Sequence, residues 1–279
     1  MGVTEQLVAE ACASLGVRQI TPLRDGGQKT VRLVEGADGE QLVLKVVSVG
    51  GSSPDALRRS QREVELLQHV DSHHVVRVRS DLIELGDPTT GVAWLEEYLD
   101  GDDLADVVGT AWTWADAARL GEEVALGLAE LHSLRVVHRD LSARNVRRLS
   151  DGTFKIMDPG FARHELRSGL TIGGHPGTPG FASPEHVRSY SAGPTAFSDV
   201  FCVGILVYLA LAGDVPIPYK DDLSDYLHRL SGADVADLSA VRPDLTPEQI
   251  ALVRRCLHSQ PARRPKDGSE LASLFSAQR

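Results

Sequence analysis

The sequence has few cysteines, and their arrangement excludes a protein built on disulfides. Its 279 residues include Cys12, Cys202 and Cys256 and no other cysteine. The number is odd, the three are far apart, and two lie in apolar stretches typical of helices. This spacing matches neither a disulfide framework nor a zinc-binding cluster. We therefore expect reduced cysteines and a cytoplasmic protein.

The sequence also lacks a long hydrophobic run. Its longest apolar run covers residues 200–212, which is shorter than the roughly 20 residues that a membrane-spanning helix needs. The N-terminus mixes Glu5, Gln6 and Glu10 with apolar residues at helical spacing, unlike a secretion signal. The sequence therefore predicts a short leading helix, a buried helix at 200–212 and no membrane insertion.

Positive charge is in deficit. Lys and Arg total 29 against 39 Asp and Glu, so the formal net charge is −10. Nucleic acids and anionic membranes both favour a basic protein surface. Neither is expected to be the main partner of this chain.

The predicted elements divide the chain into a mixed half and a helical half. Two β-like runs at 30–35 and 41–47 flank a Gly-containing turn and predict a hairpin. A helix with one apolar side is predicted after Ser53, followed by a second β-like pair at 75–85 and 92–98. From Ala115 onward the pattern is mainly helical.

This order predicts an α+β fold in two lobes. We expect an N-terminal helical extension at 1–16, a small β-rich lobe with one helix at 17–99, and a larger, mainly helical lobe at 100–279. The short polar segment 99–103 contains a glycine and is the expected hinge.

One group of motifs carries the clearest chemical information. His138-Arg139-Asp140 is followed by Asn145, and Asp158-Pro159-Gly160 comes after a short alternating run. An acid, an amide ligand and a metal-binding carboxylate at these separations suit phosphoryl transfer. Asp140 would orient the attacking hydroxyl and accept its proton, while Asn145 and Asp158 would hold two magnesium ions on ATP. The ordered set resembles the catalytic loop and metal-binding tripeptide of protein kinases.

Further motifs make the chain resemble the eukaryotic-type serine/threonine protein kinases of bacteria over nearly its whole length. Leu42-Val43-Leu44-Lys45 resembles the strand whose lysine contacts the α- and β-phosphates, and Glu63 lies where the family has its lysine-pairing glutamate. Glu97-Tyr98-Leu99 resembles the adenine-binding hinge, and Asp103 stands where a ribose-binding residue is common. The resemblance implies a two-lobed protein-kinase-like fold, ATP with Mg²⁺ or Mn²⁺, and a protein substrate.

The segment 177–185 resembles the family's G-T-P-G-Y-x-A-P-E element, which forms the floor of the peptide site. Thr178 is the expected floor residue. The segment favours Ser/Thr acceptors, although Ser142-Ala143-Arg144 looks more like the catalytic loop of tyrosine kinases. Arg144 is then the expected cation for the γ-phosphate, because Ser/Thr kinases normally have a lysine in place of Ser142.

Two family contacts are expected to be structural. Asp199 would hold the backbone of the catalytic loop, or it would simply cap the following helix. Arg264 lies in a segment that resembles the D-P-x-x-R-P element, and it would pair with Glu185 in a buried salt bridge.

The stretch that precedes the peptide-floor segment is expected to carry regulatory phosphorylation sites. Arg139 precedes the catalytic Asp, and in the family this arrangement often pairs with a phosphorylated activation segment. Ser168 and Thr171 lie in the corresponding stretch, and Thr171 is the preferred autophosphorylation site. Self-association for autophosphorylation is a further expectation.

The glycine-rich loop departs from the family pattern. The motif G-x-G-x-x-G-x-V aligns at its middle glycine only, with Arg24 and Lys29 in the outer positions. Glycine permits close approach of the backbone to phosphate, so this loop would grip ATP differently, with Lys29 adding charge. The expected nucleotide-binding residues of this loop are Gly26, Gly27, Lys29 and Val31.

Two further residues are unusual. Pro159 replaces the aromatic residue of D-F-G, and it restricts the backbone of the preceding Asp158. Glu96 places a carboxylate at the back of the adenine pocket, near Lys45. Either Glu96 competes with Glu63 for this lysine, or desolvation leaves it partly protonated.

These features favour one function over two alternatives. The leading hypothesis is ATP- and magnesium-dependent transfer of the γ-phosphoryl group to Ser or Thr of proteins, including this chain itself. The unusual loop, Pro159 and Glu96 favour a pseudokinase that serves as a scaffold or nucleotide-binding module, which the retained catalytic residues oppose. A small-molecule phosphotransferase of related fold is the second alternative, and the peptide floor counts against it.

Overall fold

The computed structural model describes residues 5–24, 29–49, 55–109, 112–159, 171–172, 175–176, 180–186 and 195–279. The chain forms two compact units, Met1–Val70 with Val76–Asp100 and Asp71–Val75 with Gly101–Arg279. The division after Asp100 lies one residue from the expected boundary between the lobes. Assignment of the loop 71–75 to the second unit has no counterpart in the sequence pattern.

The first unit contains an antiparallel sheet with the strand order β1-β2-β3-β5-β4. The predicted hairpin is confirmed, and Val31 lies opposite Lys45 in its register. The run predicted at 75–85 forms a strand only at its end. The elements of this unit are α1 (Glu5–Leu15), β1 (Arg18–Pro22), β2 (Lys29–Glu35), β3 (Gln41–Ser48), α2 (Asp55–His69), β4 (Ile83–Leu85) and β5 (Gly91–Glu97).

The two faces of this sheet are buried by different helices. Side chains alternate between the faces of a strand, and Leu42, Leu44 and Val46 on β3 form one cluster with Val8 and Ala11 of α1. On the other face, Val64 of α2 packs in a cluster with Val47, Val92 and Trp94. The leading helix therefore belongs to the core of the first unit.

The second unit is mainly helical and has a small sheet with the order β6-β7-β8. Its core helix α5 starts four residues before the predicted apolar run, after the N-cap Thr195. The elements described are β6 (Gly101–Asp103), α3 (Leu104–Val107), α4 (Trp114–Ser133), β7 (Val146–Leu149), β8 (Phe154–Ile156), β9 (Thr171–Ile172), β10 (His175–Pro176), α5 (Ala196–Ala212), α6 (Leu223–Gly232), α7 (Leu238–Val241), α8 (Pro247–Cys256) and α9 (Gly268–Ser276), with 3₁₀ turns at Pro184–His186 and Pro261–Arg263.

Helices α4 and α9 pack closely at a glycine. A Cβ atom at Gly268 would lie 2.4 Å from the backbone nitrogen of Ala129 and 2.5 Å from the carbonyl oxygen of Ala125. Any side chain at this position would therefore push the two backbones apart. The contact fixes the C-terminal helix against α4, which leads through its last turn to the catalytic loop.

Candidate active site

The proposed catalytic base and the proposed metal-binding amide lie against each other in the second unit. The Asn145 side-chain amide donates to the Oδ2 atom of Asp140 at 3.0 Å and to its main-chain oxygen at 2.7 Å. Both residues are buried. The amide therefore fixes both the backbone and the carboxylate of Asp140.

His138 links the catalytic loop to the residue before Asp158. Its Nδ1 atom accepts from the Asp140 backbone N–H at 3.4 Å, and its Nε2 atom lies 3.0 Å from the carbonyl oxygen of Met157. A ring nitrogen that accepts carries no proton, so Nε2 holds the proton and donates to Met157. This ring consequently connects the two motifs.

The ladder between β7 and β8 brings the two proposed metal ligands to one end of the small sheet. Val146 lies opposite Ile156, and the Met157 N–H donates to the Asn145 carbonyl at 2.9 Å. Asn145 precedes one strand and Asp158 follows the other, so the antiparallel pairing places both at the same end. Amide and carboxylate oxygens are ligands that Mg²⁺ uses, so this donor set fits a divalent cation.

Asp158 has an unusual backbone. Its φ angle is +50°, a left-handed conformation that non-glycine residues adopt at a cost of about 1–3 kcal/mol. Pro159, which follows it, is buried. Proline favours an extended backbone in the residue before it, so the left-handed Asp158 is not the conformation that Pro159 alone would predict.

Asp199 holds the catalytic loop by its backbone. Its Oδ2 atom accepts from the His138 N–H at 2.7 Å, and its Oδ1 atom accepts from the Arg139 N–H at 3.0 Å. The prediction for Asp199 is confirmed. The simpler alternative is wrong, because Thr195 is the N-cap of α5 and Asp199 lies within the first helical turn.

His132 is a further support that sequence reasoning missed. Its Nδ1 atom accepts from the Gly268 N–H at 3.1 Å, so Nε2 carries the proton and donates to Asp199 at 3.0 Å. The side chain thus connects α9 to the carboxylate that holds the loop. The only signal in the sequence is its place in the last turn of the predicted helix before that loop.

In the first unit, Lys45 forms a buried ion pair with Glu96. The Lys45 Nζ atom lies 2.8 Å from Oε1 and 2.7 Å from Oε2 of Glu96, and both side chains are buried. The Trp94 indole N–H also donates to Oε1, at 2.9 Å. Of the two alternatives for Glu96, competition for Lys45 matches this contact.

Glu63 has a partner that the motifs did not suggest. Its Oε1 atom lies 2.6 Å from the Nζ atom of Lys29, and its side chain is fully buried. The pairing of Glu63 with Lys45 stays a prediction beside these contacts. Strand alternation could have indicated only that Lys29 lies on the same face of the hairpin as Lys45.

The residues expected to bind adenine and ribose are Glu97, Leu99 and Asp103. Glu97 exchanges two hydrogen bonds of 2.9 Å with the Arg77 backbone, one through its own N–H and one through Oε1. Leu99 is buried. In the second unit, the Asp103 carboxylate accepts from Arg147 at 2.8 Å. A ribose-binding role for Asp103 would therefore share this carboxylate with Arg147.

Several predicted residues have limited or no description. Arg144 is exposed and Val31 is half-buried. The backbone of Thr171 lies in β9, which pairs with β10. Gly26, Gly27, Ser168 and Thr178 lie outside the described residues.

No helix in the described part of the chain has both the length and the apolar content needed to cross a membrane.

Comparison with protein families defines the class of protein. Residues 23–274 match the family model described as the protein kinase domain. The chain therefore belongs to the protein kinase family. The expected α+β protein-kinase fold is confirmed by this match, together with the antiparallel sheet of the first unit and the helices of the second. The family uses ATP and a divalent metal ion, and it acts on protein substrates.

Among curated proteins, the chain is similar to bacterial serine/threonine-protein kinases. It is 29% identical to "Serine/threonine-protein kinases drp72" of Corynebacterium efficiens, over 91% of this chain and 49% of that protein. It is 28% identical to PknA of Corynebacterium glutamicum, over 91% of this chain and 54% of that protein. It is 30% identical to the probable serine/threonine-protein kinase PkwA of Thermomonospora curvata, over 92% of this chain and 33% of that protein.

These relatives place the chain with the bacterial-type serine/threonine kinases, as the motifs predicted. The chain spans about half the length of the two Corynebacterium relatives.

Proposed function

We propose that this chain transfers the γ-phosphoryl group of ATP to Ser or Thr hydroxyls of proteins. The observation that carries the proposal is the buried contact between Asp140 and Asn145, which the side chain of Asp199 supports through the loop backbone. In this arrangement Asp140 orients the acceptor hydroxyl and takes its proton. Positioning of this kind supplies much of the rate enhancement in phosphoryl transfer.

Asn145 and Asp158 are the proposed metal ligands, with Mg²⁺ preferred and Mn²⁺ possible in its place. The bound metal would neutralise charge on the phosphates. Oxygen donors at one end of the β7–β8 ladder support this assignment. The chain's own contribution is to hold both ligands to the catalytic loop through His138 and the Asn145 carbonyl.

The residues proposed for the nucleotide keep the roles that the motifs predict. Lys45 and Glu63 retain their proposed catalytic roles, and Arg144 is the proposed cation for the γ-phosphate. The backbone of Glu97 and Leu99 would bind adenine, and Asp103 would bind ribose. The residues proposed for the phosphates are Gly26, Gly27, Lys29, Val31 and Lys45.

The proposed organisation is a small lobe at 17–99, to whose core the helical extension at 1–16 adds Val8 and Ala11, and a large lobe at 100–279. Thr178 would form part of the peptide floor. Autophosphorylation at Thr171, or less readily at Ser168, would order the activation segment through Arg139 and would involve self-association. A cytoplasmic location is supported by the three free cysteines, because a reducing compartment keeps thiols unpaired.

The decisive experiment measures phosphate incorporation from labelled ATP and Mg²⁺, with and without a generic basic protein as acceptor. Asp140→Asn should reduce transfer by several orders of magnitude and leave ATP binding almost unchanged. The matched control is Asp106→Asn, an exposed carboxylate on α3, which should transfer at the wild-type rate. Turnover by Asp140→Asn at the wild-type rate would overturn the catalytic assignment.

Two other outcomes would identify the alternatives. A wild-type chain that binds ATP without transferring phosphate would be a pseudokinase. A chain that phosphorylates small alcohols or amines but no protein, including itself, would be a small-molecule phosphotransferase.

A further inference from the structure

Two lysines share one face of the sheet in the first unit. In the β2–β3 hairpin, Lys29 lies opposite Val47 and Lys45 lies opposite Val31. Directly opposed residues point to the same face, as do residues two apart in one strand. Lys29 and Lys45 are therefore diagonal neighbours, a relationship that separates residues by about 7–8 Å.

Each lysine lies at ion-pair distance from a buried carboxylate. The Lys29 Nζ atom lies 2.6 Å from Glu63, and the Lys45 Nζ atom lies 2.7 Å from Glu96. The carboxylate side chains are 0% and 3% exposed, against 16% for Lys29 and 6% for Lys45. Burial of a charge is costly unless an opposite charge and hydrogen bonds accompany it. One buried and one half-buried ammonium group on this sheet face thus accompany the two buried carboxylates.

Trp94 connects the two ion pairs. Its indole N–H donates to Glu96 at 2.9 Å, and the Nζ atom of Lys29 lies 5.4 Å from the centre of its ring. A cation at this distance from an indole ring is attracted to it. The four charges and the indole therefore form one cluster, and the position of Lys29 is fixed by both Glu63 and Trp94.

The chemistry of this cluster suits an anionic ligand. An ammonium group carries three N–H donors, so one lysine can hold a carboxylate and a phosphate at the same time. Lys29 is the first residue of β2, and it aligns with the last glycine of the family's glycine-rich motif, which allows close approach of the backbone to phosphate. A long cationic side chain at that position replaces backbone contact with a charged contact.

We propose that Lys29, positioned by Glu63, is a second phosphate-binding lysine that acts beside Lys45. The nucleotide's phosphates then meet two ammonium groups on one sheet face. The inference rests on the proposed function in taking ATP as the ligand, but it concerns binding and does not require transfer.

The test compares nucleotides that differ in phosphate content. Dissociation constants for ATP, ADP and adenosine are measured by titration calorimetry for the wild type and for Lys29→Met, Lys29→Arg and Lys266→Met. Lys29→Met should raise the dissociation constants for ATP and ADP about 10- to 100-fold, which is the range for a lost hydrogen bond to a charged group. The dissociation constant for adenosine should stay unchanged. Lys29→Arg should retain most of the affinity. Lys266→Met removes a lysine that is 70% exposed and should match the wild type.

A second variant guards against misfolding. Lys29→Met leaves Glu63 with one buried counter-charge fewer, so the double variant Lys29→Met with Glu63→Gln removes both charges. It should show the same selective loss for ATP and ADP. Thermal unfolding without ligand checks that it is folded.

Several results would overturn the inference. Equally weakened binding of adenosine and of ATP would mean that Lys29 acts only on the fold. An unchanged dissociation constant for ATP in Lys29→Met and in the double variant would mean that Lys29 does not contact phosphate. A wild-type chain that binds ATP but transfers nothing would overturn the proposed function alone. Transfer by the wild type with normal ATP binding by Lys29→Met would overturn this inference alone, and failure of the wild type to bind ATP would overturn both.

Discussion

Arg264 contacts both carboxylate oxygens of Glu185. Its Nη1 and Nη2 atoms lie 2.7 and 2.9 Å from Oε1 and Oε2, and both residues are buried. The guanidinium carbon also lies 4.7 Å from the centre of the Phe201 ring. This geometry confirms the salt bridge that the late Arg-Pro motif predicted. It connects the described end of the peptide-floor segment to the turn before α9.

Loss of the Glu185 charge should destabilise the protein in a pH-dependent way. Glu185→Gln should lower the free energy of unfolding by about 3–5 kcal/mol at pH 7, because it leaves Arg264 buried beside a neutral amide. Burial alone would raise the pKa of Glu185, but the hydrogen bonds and charge of Arg264 outweigh it and hold that pKa below its ordinary value. The charged carboxylate thus stabilises the fold above the unfolded-state pKa of about 4.3. This contribution is lost as the pH falls through the lowered folded-state pKa.

Urea unfolding of the wild type and Glu185→Gln between pH 7 and pH 3 measures this effect. The difference between them should be largest near neutrality and shrink in acid. The control is Asp225→Asn, which breaks a surface pair with Arg229 and should cost under about 1 kcal/mol. A difference that stays constant with pH would contradict the assignment.

Asp199→Asn should separate catalysis from nucleotide binding. The amide has one acceptor oxygen, whereas the carboxylate accepts from the His138 and Arg139 backbones and from His132. At least one N–H group would lose its acceptor, so the free energy of unfolding should fall by about 2–3 kcal/mol. We expect kcat to fall at least about tenfold, because misplacement of catalytic groups is costly. The KM for ATP should change little, and an equal effect on both constants would show that the damage extends beyond the loop.

Glu96→Gln should change ATP affinity and stability in opposite directions. Breaking the buried pair with Lys45 should lower the free energy of unfolding by about 3 kcal/mol. The carboxylate competes with phosphate for the same ammonium group, so its neutralisation should lower the dissociation constant for ATP and not that for adenosine. The comparison variant is Glu35→Gln, a partly exposed β2 residue paired with Arg18. Weaker ATP binding in Glu96→Gln would show that Glu96 supports the phosphate site.

Pro159 should limit the use of magnesium. Pro159→Ala frees the backbone of Asp158 without adding volume, and it should lower the Mg²⁺ concentration that gives half-maximal transfer. Pro159→Phe should do the same but cost about 1–3 kcal/mol of stability, because residue 159 is buried. Unchanged magnesium dependence in the alanine variant would refute a restraint by proline.

Structural features could be predicted from the sequence where a residue type at a given spacing has a single known role. The β2–β3 hairpin, the loop-holding Asp199 and the Arg264 salt bridge follow from alternation, position and motif order. The lysine partners were not predictable in the same way. Glu63 and Glu96 are both carboxylates within reach of the same sheet face, and only the packing of α2 on that face decides which one contacts which lysine.

Sequence patterns also predicted strands poorly, because strand formation depends on backbone hydrogen bonds that the side chains do not specify. The β-like run at 75–85 forms a strand only at Ile83–Leu85, although Val78 forms an isolated bridge with Glu96. Its apolar residues satisfy burial without regular pairing. The His132 ring connects two elements that are far apart in sequence, and no local pattern indicates such a connection.

The leading helix has a consequence for how this protein can be shortened. The family match begins at residue 23, yet α1 contributes Val8 and Ala11, 1% and 0% exposed, to the core beneath β3. A chain cut at the family boundary would leave Leu44 and its apolar neighbours facing water, and such patches promote aggregation. In this kinase the smallest independently folding piece is therefore longer than the region that defines the family.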